Sequence, residues 1–253
     1  MAWSLKDLFS PRSAAAPMSK SSFSDLFVDL HSHLIPGIDD GAKTMEESLE
    51  LIRTLSELGY RKLITTPHIM HDMYRNTPES ILSGLEALRI ELEKEGIEMA
   101  IDAAAEYYLD EHFIHLLGNE KLMTFGENYL LFETSYTIRP YALFEHIYAI
   151  ASRGYKPVLA HPERYSYLHD SPEDYHAIKK MGVFFQLNIN SLGGYYSTPV
   201  KKAAEWIVDQ GMVDFVGSDT HKMRHLDSLS KAKHAPYFQK LFDKNTLLNP
   251  TLH

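Results

Sequence analysis

Residues 30–41 read Leu-His-Ser-His-Leu-Ile-Pro-Gly-Ile-Asp-Asp-Gly, and this stretch decides how the rest of the chain is interpreted. His31 and His33 flank a single serine, so on an extended backbone both imidazoles point to the same side. Asp39 and Asp40 follow in a segment with proline and glycine, which allows a carboxylate to fold back toward the histidines. Taken alone, the stretch fits a metal site and a surface turn with two solvated histidines equally well.

Composition restricts the class of protein. The chain has 253 residues, a formal net charge of -9 at pH 7 and no cysteine. Its length suits one α/β barrel domain, and its acidic balance argues against a nucleic-acid partner and against attraction to anionic lipid. Without cysteine there is no thiolate ligand and no cysteine nucleophile, which excludes the cysteine-based phosphatases. No segment has the apolar length of a signal or a membrane span, so we expect a cytoplasmic protein without membrane insertion.

The sequence divides into a tail and one domain. Residues 1–22 have linker composition, rich in serine, alanine and proline, and are predicted to be a flexible N-terminal tail. Apolar side chains at Trp3, Leu5, Leu8 and Phe9 could dock on a partner or on the domain, although a frayed terminus is the simpler interpretation. Residues 23–253 are predicted to form the single domain.

Within that domain, short apolar runs alternate with segments of helical periodicity in seven units. Strands are predicted at residues 27–30, 62–66, 98–105, 129–133, 157–160, 184–188 and 213–217. Helices are predicted at residues 45–58, 78–95, 110–117, 141–153, 172–181, 199–210 and from about 226 onward. Strict alternation implies a parallel sheet with right-handed crossovers, and seven units predict a TIM-like barrel that is one unit short.

Side chains that can bind metals follow six of the seven predicted strands. They are His31, His33, His68, Glu106, Glu133, His161, Asp219 and His221. A lone histidine is usually a hydrogen-bonded core residue, and a glutamate at a strand end is usually solvated. Because the carboxyl ends of barrel strands meet at one face, this concentration instead predicts a metal cluster.

Several of these motifs resemble the polymerase and histidinol phosphatase (PHP) superfamily. They are His-x-His at 31–33, Thr-Pro-His at 66–68, His-Pro-Glu-Arg-Tyr at 161–165 and Ser-Asp-Thr-His at 218–221, with the isolated Glu106 and Glu133. Residues 29–41 and Gln-Leu-Asn-Ile-Asn-Ser-Leu at 186–192 resemble more closely its bacterial tyrosine-protein phosphatase branch, of the capsule and exopolysaccharide type. The resemblance covers about residues 25–240 and implies the PHP fold, a distorted TIM-like (β/α)7 barrel of the α/β class.

The resemblance also implies nine ligands for three divalent ions, with Glu106 shared between them. The ligands are His31, His33 and Asp219 for one ion, Asp40, His68 and His221 for a second, and Glu133 and His161 for the third. Family spacing alone selects Asp40 over Asp39. Many family members have a second histidine after Thr-Pro-His, where this chain has Ile69. Imidazole and carboxylate ligands suit manganese, iron or zinc, and the resemblance favours Mn²⁺.

The implied activity is that of a metal-dependent protein-tyrosine phosphatase, a phosphoric monoester hydrolase. Closely spaced divalent ions lower the pKa of a bridging water, so in-line attack by a metal-bridging hydroxide needs no covalent nucleophile. The implied substrate is a phosphotyrosine protein, expected to be a bacterial tyrosine kinase that controls capsule or exopolysaccharide synthesis.

Substrate contacts are predicted on the loops near the ligands. Arg164 follows His161 by three residues and is placed to bind phosphate by a bidentate fork, as the catalytic arginine. The alternative is an exposed salt bridge between Arg164 and Glu163, which would contribute little. Further candidates are Arg75 and Arg224 for phosphate, Tyr74, Tyr165 and Tyr167 for an aromatic rim, and Asn188 and Asn190 for orienting ligands.

Three other functions remain compatible with the same motifs. One is a small-molecule phosphatase of the histidinol-phosphate type, which would need a lidded pocket instead of a shallow mouth. A second is a PHP-like nuclease, which the acidic balance disfavours. The third is a scaffold that keeps metals for stability, which the apparently complete ligand set disfavours.

Overall fold

The computed structural model describes residues 21–253. The predicted tail, with Trp3, Leu5, Leu8 and Phe9, therefore falls almost wholly outside the described residues. Within the described range, none of the helices is both long and apolar enough to cross a membrane.

Nine short strands, all paired in parallel, form the centre of this described part of the chain. They are β1 (Val28–Leu30), β2 (Lys62–Thr65), β3 (His68–Ile69), β4 (Ala100–Ala103), β5 (Glu106–Tyr108), β6 (Tyr129–Glu133), β7 (Lys156–Ala160), β8 (Phe184–Asn188) and β9 (Phe215–Gly217). The strand orders are β1-β2-β4 and β3-β5-β6-β7-β8-β9. The two sheets are continuous through the chain, because β2 leads into β3 and β4 leads into β5.

The nine strands form seven parallel units. Two of the predicted strands are each interrupted once and therefore count as two strands in the structure. Pro67 separates β2 from β3, and residues 104–105 separate β4 from β5. Hydrogen bonds bridge both interruptions: Ala104 N–H donates to Thr65 O (2.9 Å) and Glu106 N–H donates to Pro67 O (3.1 Å). Glu106 thus begins β5, opposite His68, instead of following its strand as the sequence predicted.

Hydrogen bonds between the segments at the carboxyl ends of β1 and β9 connect the first strand with the last. The N–H of Asp219 donates to the carbonyl of His31 (2.8 Å), and the N–H of Ser218 donates to Asp29 Oδ1 (2.8 Å). At the opposite end, the Asn249 amide donates to carbonyls on both strands (3.0 and 2.8 Å). The predicted α/β fold, with seven parallel strand units, is therefore confirmed, and these contacts join its two ends as a barrel requires.

Gly217, the last residue of β9, permits this closure. A Cβ built on it would lie 2.2 Å from the carbonyl oxygen of Leu30 and 2.7 Å from the Cβ of His31. Any side chain would force β1 and β9 apart, so the missing Cβ is what allows His31 and Asp219 to enter the same site.

Helices pack around the outside of the barrel in the described residues. They are α1 (Phe23–Leu26), α2 (Met45–Leu58), α3 (Pro78–Lys94), α4 (Glu111–Asn119), α5 (Leu143–Ser152), α6 (Pro172–Lys180), α7 (Ile189–Leu192), α8 (Thr198–Asp209), α9 (Met223–Ala232) and α10 (Pro236–Lys244), with short 3₁₀ segments at Pro162–Arg164, Ser166–Leu168 and Asn249–Leu252. The single helix predicted from about residue 226 is two helices, because Pro236 lacks the N–H that would continue the first one. The four-residue helices α1 and α7 were not predicted.

Helix α2 shows why the sequence specifies these boundaries. The hydroxyl of Thr44 accepts the N–H of Glu47 (3.3 Å), and Gly59 ends the helix with φ 119°, which a side chain would disfavour. The Glu47 carboxylate completes the cap by accepting the N–H of Lys43 (2.7 Å), one residue before the position a capping box would use.

The core has two parts, one inside the barrel and one between barrel and helices. The inner cluster includes Val28, Leu131, Val158 and Phe215, and Leu252 with other residues closes it at the amino-terminal end of the strands. Because apolar side chains fill this end, polar side chains can converge only at the carboxyl ends, where barrel active sites lie.

Candidate metal centre

All nine predicted ligands converge at the carboxyl ends of the strands. The structure groups them in four overlapping sets whose ligand atoms lie within 4.8 Å of one another: His33, Asp40, His68 and His221; His31, Glu106 and His161; His31, His33 and Asp219; and His68, Glu106 and Glu133. The first set contains the three ligands implied for the second ion together with His33, and the third set contains the three histidine and aspartate ligands implied for the first ion without Glu106. The set expected for the third ion is divided, with Glu133 grouped beside His68 and His161 grouped beside His31.

Three of these ligands have unusual backbone conformations. The φ angles are 107° at His31, 32° at His161 and 49° at Asp219, a region that residues with a side chain rarely adopt. Each residue lies within two positions of the end of a strand, so the turn redirects its side chain from the ladder toward the barrel axis. Such strain persists where the surrounding structure fixes it, and it is concentrated at functional sites.

Glu106 lies at the centre of the cluster. Its Oε2 is 3.1 Å from His31 Nε2 and 3.2 Å from His68 Nδ1, while its Oε1 is 3.0 Å from His161 Nε2. Burial alone would raise the pKa of Glu106, but positive charge on His31 and His68 lowers it well below its usual range. The buried carboxylate therefore remains ionised, with one oxygen facing two imidazoles and the other facing a third.

The pKa values of two histidines in the cluster are shifted in opposite directions. Burial would lower the pKa of His31, but the carboxylates of Glu106 and Asp219 raise it to about 9. His33 behaves differently, since burial and the neighbouring His221 lower its pKa to about 4. The site thus combines a concentrated negative charge with an imidazole that is neutral at pH 7, which is the form that binds metals.

Asp39 and Asp40 have different surroundings. Asp39 Oδ2 accepts Nδ1–H of His33 (2.7 Å), and Asp39 Oδ1 accepts the N–H of Gly41 (2.9 Å). Asp40 Oδ1 instead faces His68 Nε2 at 3.5 Å and His221 Nε2 at 3.4 Å. Asp39 therefore orients the predicted ligand His33, while Asp40 lies among the predicted ligands.

The donor atoms fit divalent ions. Among residues 21–253, His33 Nε2 and Asp40 Oδ1 are buried without a hydrogen-bond partner. His33 Nε2 lies 3.6 Å from Glu106 Oε2 and 3.7 Å from Asp219 Oδ1, which is too far for hydrogen bonds. Buried polar atoms that converge without bonding one another are expected where a cation is shared, and this nitrogen and oxygen set suits manganese, iron or zinc.

A chain of amides on β8 connects two ligands. Gln186 Oε1 accepts Nδ1–H of His31 (2.7 Å), and Gln186 Nε2 donates to Asn188 Oδ1 (3.0 Å). Asn188 Nδ2 in turn donates to Asp219 Oδ2 (2.7 Å). These contacts fix the orientation of the His31 ring, with Nε2 facing Glu106. Asn188 was among the predicted orienting residues, and the polar alternation of 186 and 188 in an apolar strand was the signal that would have revealed Gln186.

The ligands open into a cavity of about 350 Å³ whose wall includes Arg164. Arg164 Nη1 donates to Asp219 Oδ2 (3.0 Å), and the guanidinium carbon lies 4.4 Å and 4.3 Å from the ring centroids of Tyr136 and Tyr196. Glu163 is fully buried, and its Oε1 accepts the hydroxyl of Ser191 (2.7 Å). The alternative of an exposed Arg164–Glu163 pair is therefore wrong, and the ion pair of Arg164 is with Asp219.

Two predicted substrate residues lie elsewhere. Tyr165 is fully buried, and its hydroxyl accepts the N–H of Thr134 (3.2 Å), so it cannot contact a substrate. Arg75 is outside the cavity, where its Nε donates to the carbonyl of His71 (2.8 Å). Residues of the wall that the sequence did not predict are Tyr136, Tyr195, Tyr196, Lys222 and His225, whereas the predicted Arg224 is present.

A second cavity, of about 410 Å³, lies between α6 and α8. Its wall includes Tyr175 and Trp206 and is largely apolar. Within the described part of the chain no group of metal ligands meets there, so the first cavity is the candidate site.

Comparison with known proteins gives matches over most of the chain. The family model described as "Capsular polysaccharide synthesis, CpsB/CapC" matches residues 27–246. Tyrosine-protein phosphatase YwqE of Bacillus subtilis (strain 168) is 29% identical over 199 residues, which cover 78% of each chain. Tyrosine-protein phosphatase CpsB of Streptococcus pneumoniae is 27% identical over 222 residues, 85% of this chain and 88% of that protein.

Among solved structures, a chain from a study of YwqE from Bacillus subtilis and CpsB from Streptococcus pneumoniae has a similar fold. Its TM-score is 0.75 at 25% sequence identity, and the match covers 87% of this chain and 96% of that one. These two proteins are described as metal-dependent tyrosine phosphatases.

Proposed function

Because the chain belongs to the CpsB/CapC family of capsular polysaccharide synthesis, we propose that it is a metal-dependent protein-tyrosine phosphatase, a phosphoric monoester hydrolase. The observation that carries this proposal is the convergence of histidines and carboxylates, in four ligand sets, beside an arginine in one cavity. Relatives that align over more than three quarters of the chain are named tyrosine-protein phosphatases, which favours this function over a histidinol-phosphate-type phosphatase or a nuclease.

The residues proposed to hold three divalent ions are the nine predicted ligands, with Glu106 shared. When bound, such ions lower the pKa of a coordinated water and neutralise charge on the phosphoryl oxygens. Asp39, Gln186 and Asn188 orient the ligands through the hydrogen bonds described above, which fixes the positions of the donor atoms before substrate arrives.

Arg164 is proposed to bind the phosphate. Within the described residues, only its Nη1 has a hydrogen-bond acceptor, Asp219, which leaves its other N–H groups for phosphate oxygens. The rings of Tyr136 and Tyr196 lie close to the guanidinium and restrict its movement. The leaving group of phosphotyrosine is a phenolate, which needs less proton donation than a serine alkoxide.

The protein substrate is proposed to be a bacterial tyrosine kinase that controls capsule or exopolysaccharide synthesis. The family description supports the connection with capsule synthesis, and the names of the relatives support a phosphotyrosine protein as substrate. A cytoplasmic location would follow from a kinase substrate, since kinases act where ATP is present.

A substrate panel tests the proposed function. The enzyme reconstituted with Mn²⁺ should hydrolyse a phosphotyrosine peptide with kcat/KM at least about tenfold higher than for histidinol phosphate, because relatives that align over most of the chain are named tyrosine-protein phosphatases. Single-stranded DNA should not be cleaved. The chelated enzyme is the control for contaminating phosphatase. Faster hydrolysis of histidinol phosphate, or cleavage of DNA, would contradict the proposal.

Metal preference can be measured on the same protein. After chelation and dialysis, Mn²⁺ should restore activity more than Mg²⁺ at equal concentration, because a histidine-rich site prefers a borderline transition metal to a hard, oxygen-seeking ion. Titration with each ion, followed by metal analysis, checks this expectation. Full activity in the metal-free protein would refute the metal-dependent mechanism itself.

A further inference from the structure

The loop after β6 exposes large apolar side chains beside the cavity. Among residues 21–253, eight large hydrophobic side chains are exposed, and Tyr136, Ile138 and Tyr141 fall within six consecutive positions. Ile138 is 71% exposed and Tyr141 is fully exposed. Single exposed apolar residues need no explanation, but a cluster of them at the mouth of a site marks an interaction surface.

This loop is held in place by polar contacts, although its apolar side chains face solvent. The N–H of Ser166 donates to the carbonyl of Tyr136 (2.8 Å), which fastens the start of the loop to the segment after β7. Arg139 Nη1 donates to Asp174 Oδ2 (2.9 Å), which ties the middle of the loop to α6 and neutralises its charge. A fixed support lowers the entropic cost of binding a partner on these side chains.

Tyr136 connects the loop with the cavity. Its hydroxyl donates to Glu133 Oε2 (3.4 Å), and its ring faces Arg164 on the cavity wall. Ile138 and Tyr141 follow by two and five residues, and since a chain advances at most about 3.6 Å per residue they lie within about 7 and 18 Å of Tyr136. Both distances are no longer than the span of about five extended residues, so neighbours of a phosphotyrosine inserted into the cavity are long enough to contact these side chains.

We propose that Tyr136, Ile138 and Tyr141 form a docking surface, the apolar rim, for apolar side chains within about five residues of the phosphotyrosine of a protein substrate. The inference rests on the proposed phosphatase function, since it requires phosphotyrosine in the cavity. The pairing of Arg139 with Asp174 leaves the rim without net charge, so apolar neighbours fit it better than acidic or basic ones.

Two phosphotyrosine peptides and p-nitrophenyl phosphate test the rim. The peptides have equal length and net charge, with leucines or serines at the positions flanking phosphotyrosine. For the wild-type enzyme, kcat/KM should be about tenfold higher for the leucine peptide, mainly through a lower KM, as expected from partial burial of apolar side chains. In the double variant Ile138→Ser/Tyr141→Ser, this ratio between the peptides should fall to near one. p-Nitrophenyl phosphate is too small to reach the rim, so its kcat/KM reports on catalysis in the cavity alone and should be the same in the wild type and the double variant.

The matched control is Ile90→Ser/Tyr148→Ser, which makes the same changes at exposed positions on α3 and α5. This variant should keep the wild-type preference for the leucine peptide. If the wild-type enzyme hydrolysed both peptides with equal kcat/KM, the proposed docking surface would be wrong. It would also be wrong if the double variant Ile138→Ser/Tyr141→Ser kept the preference for the leucine peptide. Failure of the wild type to hydrolyse either peptide or p-nitrophenyl phosphate would instead contradict the proposed phosphatase function.

Discussion

Glu106→Gln is expected to lower kcat/KM on a phosphotyrosine peptide by about a thousandfold or more. Glu106 lies within 3.2 Å of the imidazoles of His31, His68 and His161, so it is the carboxylate that we propose to be shared between ions. The glutamine variant keeps the shape but loses the negative charge. Loss of a partner that only orients a ligand typically costs about 10- to 100-fold, and a shared ligand should cost more. Steady-state kinetics and metal analysis of the purified variant measure both consequences.

The comparison variant is Asp40→Asn, which should lose less activity than Glu106→Gln. The side chain of Asp40 is 50% exposed and its ligand atom faces only His68 and His221, so it belongs to one ligand set whereas Glu106 belongs to two. Loss of a carboxylate that would bind a single ion should therefore cost less than loss of one that would be shared. Equal and small losses in both variants, with metal content unchanged, would refute this division of roles.

The residues at strand ends show how much the sequence could predict. Parallel strands direct their carboxyl ends to one face, so identifying seven strands was enough to bring Glu133, His161 and Asp219 together without knowing any side-chain conformation. Helix boundaries were equally accessible where a local rule determines them, as at Thr44 and Gly59. Both kinds of prediction depend on backbone periodicity and on short-range hydrogen bonds.

The pocket wall was less predictable because it depends on the irregular chain after each strand. Tyr165 was expected among the aromatic residues around the substrate, but it is fully buried, and Tyr136 from a different loop lies on the wall of the cavity. Asp39 and Asp40 are adjacent and chemically identical, so only three-dimensional contacts distinguish the proposed orienting residue from the proposed ligand. The conformation of such loops cannot be predicted from hydrophobic periodicity, because these loops have no repeating pattern.

Arg164→Ala is expected to lower kcat by on the order of a hundredfold, by analogy with other fixed donors that stabilise charge in a transition state. Metal content should stay unchanged, because Asp219 Oδ2 also accepts hydrogen bonds from Asn188 Nδ2 (2.7 Å) and from the Tyr196 hydroxyl (3.2 Å). Arg164→Lys should recover only part of the activity, since an ammonium provides charge without the planar fork. Arg75→Ala, outside the cavity, is the control and should behave like the wild type.

The pairing with Asp219 defines the competing explanation for any loss at Arg164. If the guanidinium serves only to hold Asp219, then Arg164→Ala should lose metal and activity in parallel, and added Mn²⁺ should restore both. If it binds phosphate, excess Mn²⁺ should leave the deficit in kcat unchanged while the ion content is already full. Metal analysis beside kinetics on a phosphotyrosine peptide separates these outcomes. Near-normal turnover in the alanine variant would remove Arg164 from the site and leave phosphate binding to the ions alone.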